Sequence, residues 1–96
     1  MFVLITYDIK IETKADQKRL RRVAKLCQNF GQRVQNSVFE FQIDSVDLRI
    51  LKHELCKTID INRDSLRFYY LGKNYKNKIE HIGVKSVRDI NDPLIF

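Results

Sequence analysis

Asp8 is the carboxylate best placed for chemistry in this chain. It ends an unbroken apolar, β-branched and aromatic run, Phe2 to Tyr7, which predicts a strand. A strand end is a rigid position, and a carboxylate beside bound phosphate is what Mg²⁺ or Mn²⁺ needs. One carboxylate holds such a metal poorly, so catalysis would also need a second copy's Asp8, phosphate oxygens and water. Alternatively, Asp8 only ends the strand and hydrogen-bonds to its own turn.

The stretch between Gln17 and Glu40 contains six basic residues and no acidic residue. They include Arg33 and could neutralise phosphates or the charge that grows in a phosphodiester transition state. A merely solvated helix face is the alternative, although such faces usually mix charge signs. The predicted nucleic-acid contacts, which include a second basic stretch, are Lys18, Arg19, Arg21, Arg22, Lys25, Lys73, Lys76 and Lys78.

The histidines and cysteines offer less chemistry. His81 could act as an acid or base, but a lone histidine is more often structural, and His53 is typical of a surface position. Cys27 and Cys56 are too few for a disulfide framework or for zinc, so we expect two core thiols in a reduced cytoplasm. The chain contains no Gly-rich phosphate loop and no nucleophile elbow.

The elements that would position these residues follow from periodicity. A first helix is predicted from Asp16, which can accept from first-turn amides, to Gly31, where a left-handed residue would end it. Its buried stripe is Leu20, Val23, Ala24, Cys27 and Phe30.

The rest of the chain predicts two short strands, a helix and a further strand. The strands are 33–35 and 38–43, then a helix begins at Asp44 or Ser45, and a strand spans 65–71. The stripe of the second helix is Leu48, Leu51, Leu55 and Ile59. This order predicts a single α+β domain over 1–96 with a ferredoxin-like βαββαβ core over 1–71.

Residues 72–96 form a tail that is too apolar to be free linker. We expect an additional C-terminal strand that crosses the dimer and pairs with the exposed edge of the partner subunit. The sequence of the first strand predicts that both of its faces are covered, whereas helices in so short a chain can cover only one face of the sheet. The sequence therefore predicts a homodimer packed through its sheet faces.

The formal net charge of +6 favours acidic partners such as nucleic acid or an anionic surface. The apolar start is far shorter than the roughly 20 residues that span a bilayer, and it lacks a basic leader. We therefore expect a soluble cytoplasmic protein with no membrane partner.

Four stretches, VLITYD (3–8), RRVAKLC (21–27), GQRVQNSVFE (31–40) and LRFYYLG (66–72), carry a family resemblance. Nearly end to end, the chain closely resembles the family of the second, small CRISPR-associated protein, which is the partner of the spacer integrase. The ending DPLIF (92–96) looks most like the type I-C branch.

The resemblance implies a ferredoxin-like homodimer that holds double-stranded spacer DNA between CRISPR integrase dimers. It also implies a Mg²⁺- or Mn²⁺-dependent endonuclease on RNA or duplex DNA, with single-stranded RNA as a further partner. Asp8 would be the metal ligand. The other residues that the resemblance links to activity are Tyr7, Arg33, Ser37 and Phe39.

Two alternatives stay open beside the nuclease. One is a non-catalytic adaptor that binds duplex DNA within the integrase complex and leaves Asp8 structural. Another is a stand-alone ribonuclease toxin on the same fold. An RNA-recognition module would need exposed aromatics on its central strands, whereas Phe39, Phe41, Phe68 and Tyr70 look like core.

Overall fold

Seven elements follow one another along the chain. The computed structural model describes residues 1–72 and 78–84. The elements are β1 (Phe2–Asp8), α1 (Lys14–Phe30), β2 (Gln32–Gln35), β3 (Val38–Gln42), α2 (Ser45–Thr58), β4 (Ser65–Leu71) and β5 (Lys78–Gly83). The predicted α+β, ferredoxin-like order is confirmed, and β5 is the additional strand.

β1 is the central strand of an antiparallel sheet ordered β2-β3-β1-β4-β5. Ile5 lies opposite Phe39 of β3 and Phe68 of β4, and all three side chains are fully buried. Burying each such side chain stabilises the fold by about 2 kcal/mol. The apolar run that opens the sequence is therefore the strand on which the core is built.

The two faces of the sheet differ in cover. Val3, Ile5 and Tyr7 point into the core with Val23 and Cys27 of α1. The alternate residues of β1 lie on the opposite face, which we call the open face, and cross-strand partners share it. Its apolar members are Phe2, Leu4, Tyr69, Leu71 and Ile79. No helix of the described chain covers them.

The first helix begins earlier than Asp16, which corrects the prediction. Thr13 is the N-cap and its hydroxyl accepts from the amide of Asp16 at 3.1 Å. Asp16 is the third helical residue, and its carboxylate in turn accepts a hydrogen bond from the amide of Thr13 at 3.0 Å. The two residues form a capping box, so Asp16 does accept from amides at the helix start, as expected.

Gly31 ends α1, but its predicted left-handed conformation is wrong. Its φ of −145° and ψ of −161° are extended. Glycine is required here by close packing, since a Cβ would lie 2.6 Å from the carbonyl oxygen of Glu40 and closer still to the ring of Phe41. The chain thus turns directly from α1 into β2.

The second helix matches its prediction. Asp44 is the N-cap and accepts from the amide of Asp47 at 2.8 Å. Leu48, Leu51 and Leu55 are buried along one stripe, as predicted with Ile59. Cys56 lies off this stripe and is exposed, so the prediction of two core thiols is correct for Cys27 alone.

The additional strand β5 pairs with β4 of its own chain, with Leu66 opposite Ile82. Lys78–Gly83 thus pairs within its own chain, and a tail that crosses the dimer stays a prediction. Glu80 helps to hold β5 in place, since its Oε1 accepts from Lys52 of α2 at 2.6 Å and from the Tyr70 hydroxyl at 2.8 Å. The remaining tail, 85–96, lies outside the described residues, as do Lys73 and Lys76.

A buried ionic network joins the loop after β1 to the loop before β4. Asp64 is fully buried and accepts from Nε and Nη2 of Arg19 at 2.6 and 3.1 Å. It also accepts from the amides of Lys10 at 3.0 Å and Asp60 at 2.8 Å. We call these contacts of Asp64 the Asp64 clamp. They hold the backbone at Lys10, two residues after Asp8.

Arg19 was predicted to contact nucleic acid, and the network corrects that assignment. Its guanidinium also pairs with Asp16 at 3.0 Å, so that the side chain is 14% exposed. A guanidinium held by two buried carboxylates is not available to phosphate without leaving both unpaired. We therefore leave Arg19 out of the nucleic-acid surface.

Both buried carboxyl groups stay ionised. A hydrogen bond from Arg63, at 2.9 Å, holds the pKa of Asp16 well below its usual range. Burial raises the pKa of Asp64, but the hydrogen bonds from Arg19 and from the amides of Asp60 and Lys10 outweigh it and lower that pKa. Each carboxylate therefore stabilises the fold while it is charged.

The free energy of unfolding should consequently fall in acid. A carboxyl group with a lowered folded-state pKa stabilises the protein above its unfolded pKa of about 4, and this stabilisation is lost as pH drops through the folded pKa. Denaturant titrations from pH 7 to pH 2 would show the decline below about pH 4.

Asp64→Asn should lower stability at pH 7 by about 3 kcal/mol, because it leaves Arg19 without its main partner. The variant should also show a shallower acid decline than the wild type. The matched control is Asp47→Asn, an exposed carboxylate in the first turn of α2. An acid profile of Asp64→Asn that parallels the wild type would contradict the network's role.

Candidate functional site

Four of the five residues linked to activity surround one cavity of about 430 Å³. β1 supplies Tyr7 and Asp8, β2 supplies Arg33, and the β2–β3 turn supplies Ser37. The hairpin turn lies at this end of β1 because the amide of Tyr7 donates to the carbonyl of Ser37 at 3.1 Å. We call this space the Asp8 cavity.

Phe39 is the fifth of these residues, and it lies beneath the cavity. It is fully buried, so it cannot contact a substrate, and its predicted link to activity can only be indirect. Its ring stacks on Tyr7 with centroids 6.2 Å apart, and the guanidinium of Arg33 lies 4.9 Å from its centroid. Phe39 therefore positions two residues that do reach the cavity.

Two contacts restrain the guanidinium of Arg33. One face rests on Phe39, and Nη1 donates to the carbonyl of Asn36. The hydroxyl of Tyr7 donates to the same carbonyl at 3.5 Å. Burial raises the pKa of Tyr7, and the neighbouring charge of Arg33 offsets part of that rise. Tyr7 is therefore a neutral phenol at physiological pH.

Asp8 is exposed and its carboxylate accepts no hydrogen bond from residues 1–72 and 78–84. The alternative in which it bonds to its own turn is thus not what the described chain shows. Asp8 also borders a second cavity of about 350 Å³ on the open face, beside Arg67, Tyr69 and His81. A carboxylate with free oxygens between two cavities can take a ligand from either side.

The fit to a divalent cation is partial. Among the described residues no three His, Cys, Asp or Glu side chains are grouped to hold a metal. Asp8 offers one hard oxygen ligand, and Mg²⁺ usually combines one or two carboxylates with phosphate oxygens and water. The donor set therefore suits a cation that arrives with a phosphate.

His81 is held as a structural residue. Nε of Arg67 donates to its Nδ1 at 3.2 Å, so Nδ1 accepts and Nε2 carries the proton. Nε2 lies 2.8 Å from the carbonyl oxygen of Val84 and donates to it. Both ring nitrogens are engaged, in keeping with the structural reading of this histidine.

A second and larger space, of about 930 Å³, lies along α1 and α2. We call it the basic groove. Five of the predicted nucleic-acid contacts line it, Arg19 among them, and it adds Lys57, which sequence reasoning missed because it lies in a different helix. Its cations apart from Arg19 are Lys18, Arg21, Arg22, Lys25 and Lys57. The side chain of Lys78 lies outside the described part of the chain.

The fold and site together define a ferredoxin-like domain with an acidic and basic cavity at the end of its central strand. A family model described as CRISPR associated protein Cas2 matches residues 1–79. This chain belongs to the Cas2 family, the CRISPR-associated proteins of spacer acquisition, and the resemblance found from the sequence is confirmed. The type I-C subtype stays a prediction.

Similar proteins span the whole chain. The CRISPR-associated endonuclease Cas2 of Halalkalibacterium halodurans is 60% identical over 96 residues, covering 100% of both chains. The CRISPR-associated endoribonuclease Cas2 of Nitratidesulfovibrio vulgaris is 53% identical over 96 residues, 100% of this chain and 94% of that one.

A solved structure supports the same fold. The crystal structure of Streptococcus pyogenes Cas2 at pH 6.5 matches with a TM-score of 0.70 and 55% sequence identity. The match covers 79% of this chain and 92% of that chain. Separately, the helices of the described residues include none that is long and apolar enough to cross a membrane.

The contact between Arg33 and Tyr7 can be tested by titration. Since the charge of Arg33 lowers the pKa of Tyr7, replacing it by the neutral Arg33→Gln should raise that pKa further. Tyrosine ring NMR signals followed across alkaline pH would report the change. Arg49→Gln, an exposed arginine on α2, is the control and should leave Tyr7 unchanged. A pKa that stays the same or falls in Arg33→Gln would contradict the geometry.

Proposed function

We propose that this protein is a metal-dependent endonuclease that binds nucleic acid during spacer acquisition. The observation that carries the proposal is the Asp8 cavity, where a carboxylate without hydrogen-bond partners among the described residues shares one space with Arg33 and Ser37. A carboxylate for a cation and an arginine for a phosphate are what phosphodiester hydrolysis requires. The names of the relatives, endonuclease and endoribonuclease, agree with it.

Each residue has a distinct part in the proposed reaction. Asp8 would hold Mg²⁺ or Mn²⁺ together with a phosphate oxygen of the substrate, and the bound cation would supply Lewis acidity and lower the pKa of water. Arg33, fixed by Phe39 and Asn36, binds the phosphate and offsets the charge that develops on it. Ser37 and the neutral Tyr7 line the same space and are available as hydrogen-bond donors.

A homodimer completes this site. The open face carries Phe2, Leu4, Tyr69 and Leu71, which stay half-buried in the single chain, and Ile79, which is 47% exposed. An apolar sheet face of this kind is typical of an interface. Asp8 lies at the rim of this face. A two-fold packing of open faces would bring a second Asp8 toward the first and add the carboxylate that one chain lacks.

The basic groove supports duplex DNA as a partner. Lys18, Arg22 and Lys25 of α1 line one space with Lys57 of α2, which also pairs with Glu54 at 3.3 Å. Phosphate contacts of this type bind without sequence preference. We infer that the groove holds the backbone of spacer DNA while integrase dimers bind the same DNA, with RNA as the other substrate that the Asp8 cavity could cleave.

A non-catalytic adaptor is the second candidate function. The basic groove and the open face would serve it fully, since neither needs the carboxylate of Asp8 to bind DNA or to form a dimer. The two functions therefore differ in what replacement of Asp8 changes.

Asp8→Asn should abolish cleavage and leave DNA affinity nearly unchanged. We expect a loss of about 100-fold or more in cleavage rate, because the variant removes the metal-binding charge and keeps the side-chain shape. Cleavage of single-stranded RNA and duplex DNA with Mg²⁺, with Mn²⁺ and with excess EDTA would measure it.

Asp47→Asn serves as the matched control for this experiment. Its carboxylate is exposed and remote from the residues that line the Asp8 cavity. Cleavage that survives Asp8→Asn or EDTA would refute the metal site, and a wild type that binds DNA without cleaving it would favour the adaptor.

Leu4→Glu should dissociate the dimer, since it places a charge in the middle of the open face. Sedimentation at micromolar concentration should show a dimer for the wild type and a monomer for the variant. Ile50→Glu, on the exposed surface of α2, is the control and should remain dimeric. Deletion of 92–96 should weaken the dimer if the tail crosses it. A wild type that sediments as a folded monomer would overturn the proposal.

A further inference from the structure

We propose that Arg21 is a second phosphate-binding residue of the Asp8 cavity, placed where one nucleic-acid strand passes from the basic groove to Asp8. The proposal rests on the nuclease function and adds to it a residue and a path. Sequence reasoning assigned Arg21 only to a general basic face. The structure gives it a second position, because Arg21 lines both spaces whereas its neighbour Arg22 lines the groove alone.

The position of Arg21 follows from helical periodicity. Leu20 and Ala24 of α1 line the Asp8 cavity, and Lys18, Arg22 and Lys25 line the basic groove. Successive helix residues are about 100° apart, so these sets form two adjoining faces of α1. Arg21 belongs to both sets and therefore lies on the boundary between the two faces.

The charges around the cavity leave room for a phosphate. Arg21 is exposed and makes no ion pair with any residue that the structure describes. With Arg33 it gives two positive charges from separate elements around a cavity whose lining carries one carboxylate, Asp8. The lining thus has an excess of one positive charge, which a phosphodiester group can neutralise.

Arg33 and Arg21 differ in how freely their side chains can move. Arg33 is held by the ring of Phe39 and the carbonyl of Asn36, so it presents a fixed donor. Arg21 is exposed and can follow the strand as it leaves the groove. Arginine suits this position because its planar guanidinium can bind two phosphate oxygens at once.

The wall behind Arg21 suits the rest of a nucleotide. Ile11, Leu20 and Ala24 line the same cavity as Arg21, and Ile11 is 55% exposed. An apolar wall beside two guanidinium groups matches a nucleotide, which has an apolar base face joined to a charged phosphate. Arg21 would hold the phosphate of that nucleotide together with Arg33.

Replacement of Arg21 and replacement of Arg22 should affect the cleavage rate differently. Under single-turnover conditions at saturating substrate with Mg²⁺, Arg21→Ala should lower the cleavage rate about 100-fold, as the loss of a transition-state donor does in other enzymes. Arg22→Ala should weaken binding and keep most of the saturated rate, because it loses only a groove contact. Arg49→Ala, outside both spaces, is the unchanged control. Equal rate losses in Arg21→Ala and Arg22→Ala would overturn the proposal.

A titration without metal tests Arg21 even if the protein does not cleave. Uridine 5′-monophosphate added to the 96-residue chain should shift the amide NMR signals of Asp8 and Ser37, and Arg21→Ala should weaken this binding at least five-fold. Arg22→Ala should retain it. Absence of the shifts in the wild type, or an equal effect of the two variants, would refute the assignment of Arg21. Failure of cleavage with the titration as expected would reject only the nuclease.

Discussion

The structure depends on the burial of one face of β1 at the centre of its sheet. Val3 and Ile5 are inaccessible to solvent, and pairing on both edges leaves the strand no freedom to slip, because a shift of one residue would turn its apolar side chains away from the helices. Asp8 is the last residue of that strand. Its position is therefore set by the core, while its carboxylate stays in solvent.

Two polar supports extend this rigidity to the loops around Asp8. Asp64 clamps the amide of Lys10 and the guanidinium of Arg19, and this clamp fixes the backbone where it leaves β1. On the other side, the ring of Phe39 carries Arg33 and Tyr7. Every buried side-chain nitrogen and oxygen of the described residues finds a hydrogen-bond partner, so the site is built without strained polar groups.

The sequence predicted the order of elements and both buried helix stripes, since each depends on local periodicity and on nearby caps. It also brought forward Asp8, Tyr7, Arg33 and Ser37, which the structure places around one cavity. Prediction from the sequence failed where a residue contacts a partner that is distant in the chain. Nothing near Arg19 in the chain reveals a buried Asp64 that lies 45 residues away. In the same way, the crowding of Gly31 by Phe41 and the entry of Lys57 into the basic groove arise only in the folded chain.

Paramagnetic relaxation by Mn²⁺ can show whether metal binding at Asp8 is coupled to phosphate binding. With a non-cleavable phosphorothioate oligonucleotide present, Mn²⁺ should broaden the NMR signals of Asp8 and Ser37 first, and Asp8→Asn should remove that effect. Without the oligonucleotide the broadening should be weaker, because one carboxylate offers too few ligands. Selective broadening elsewhere, or the same broadening in Asp8→Asn, would contradict the account.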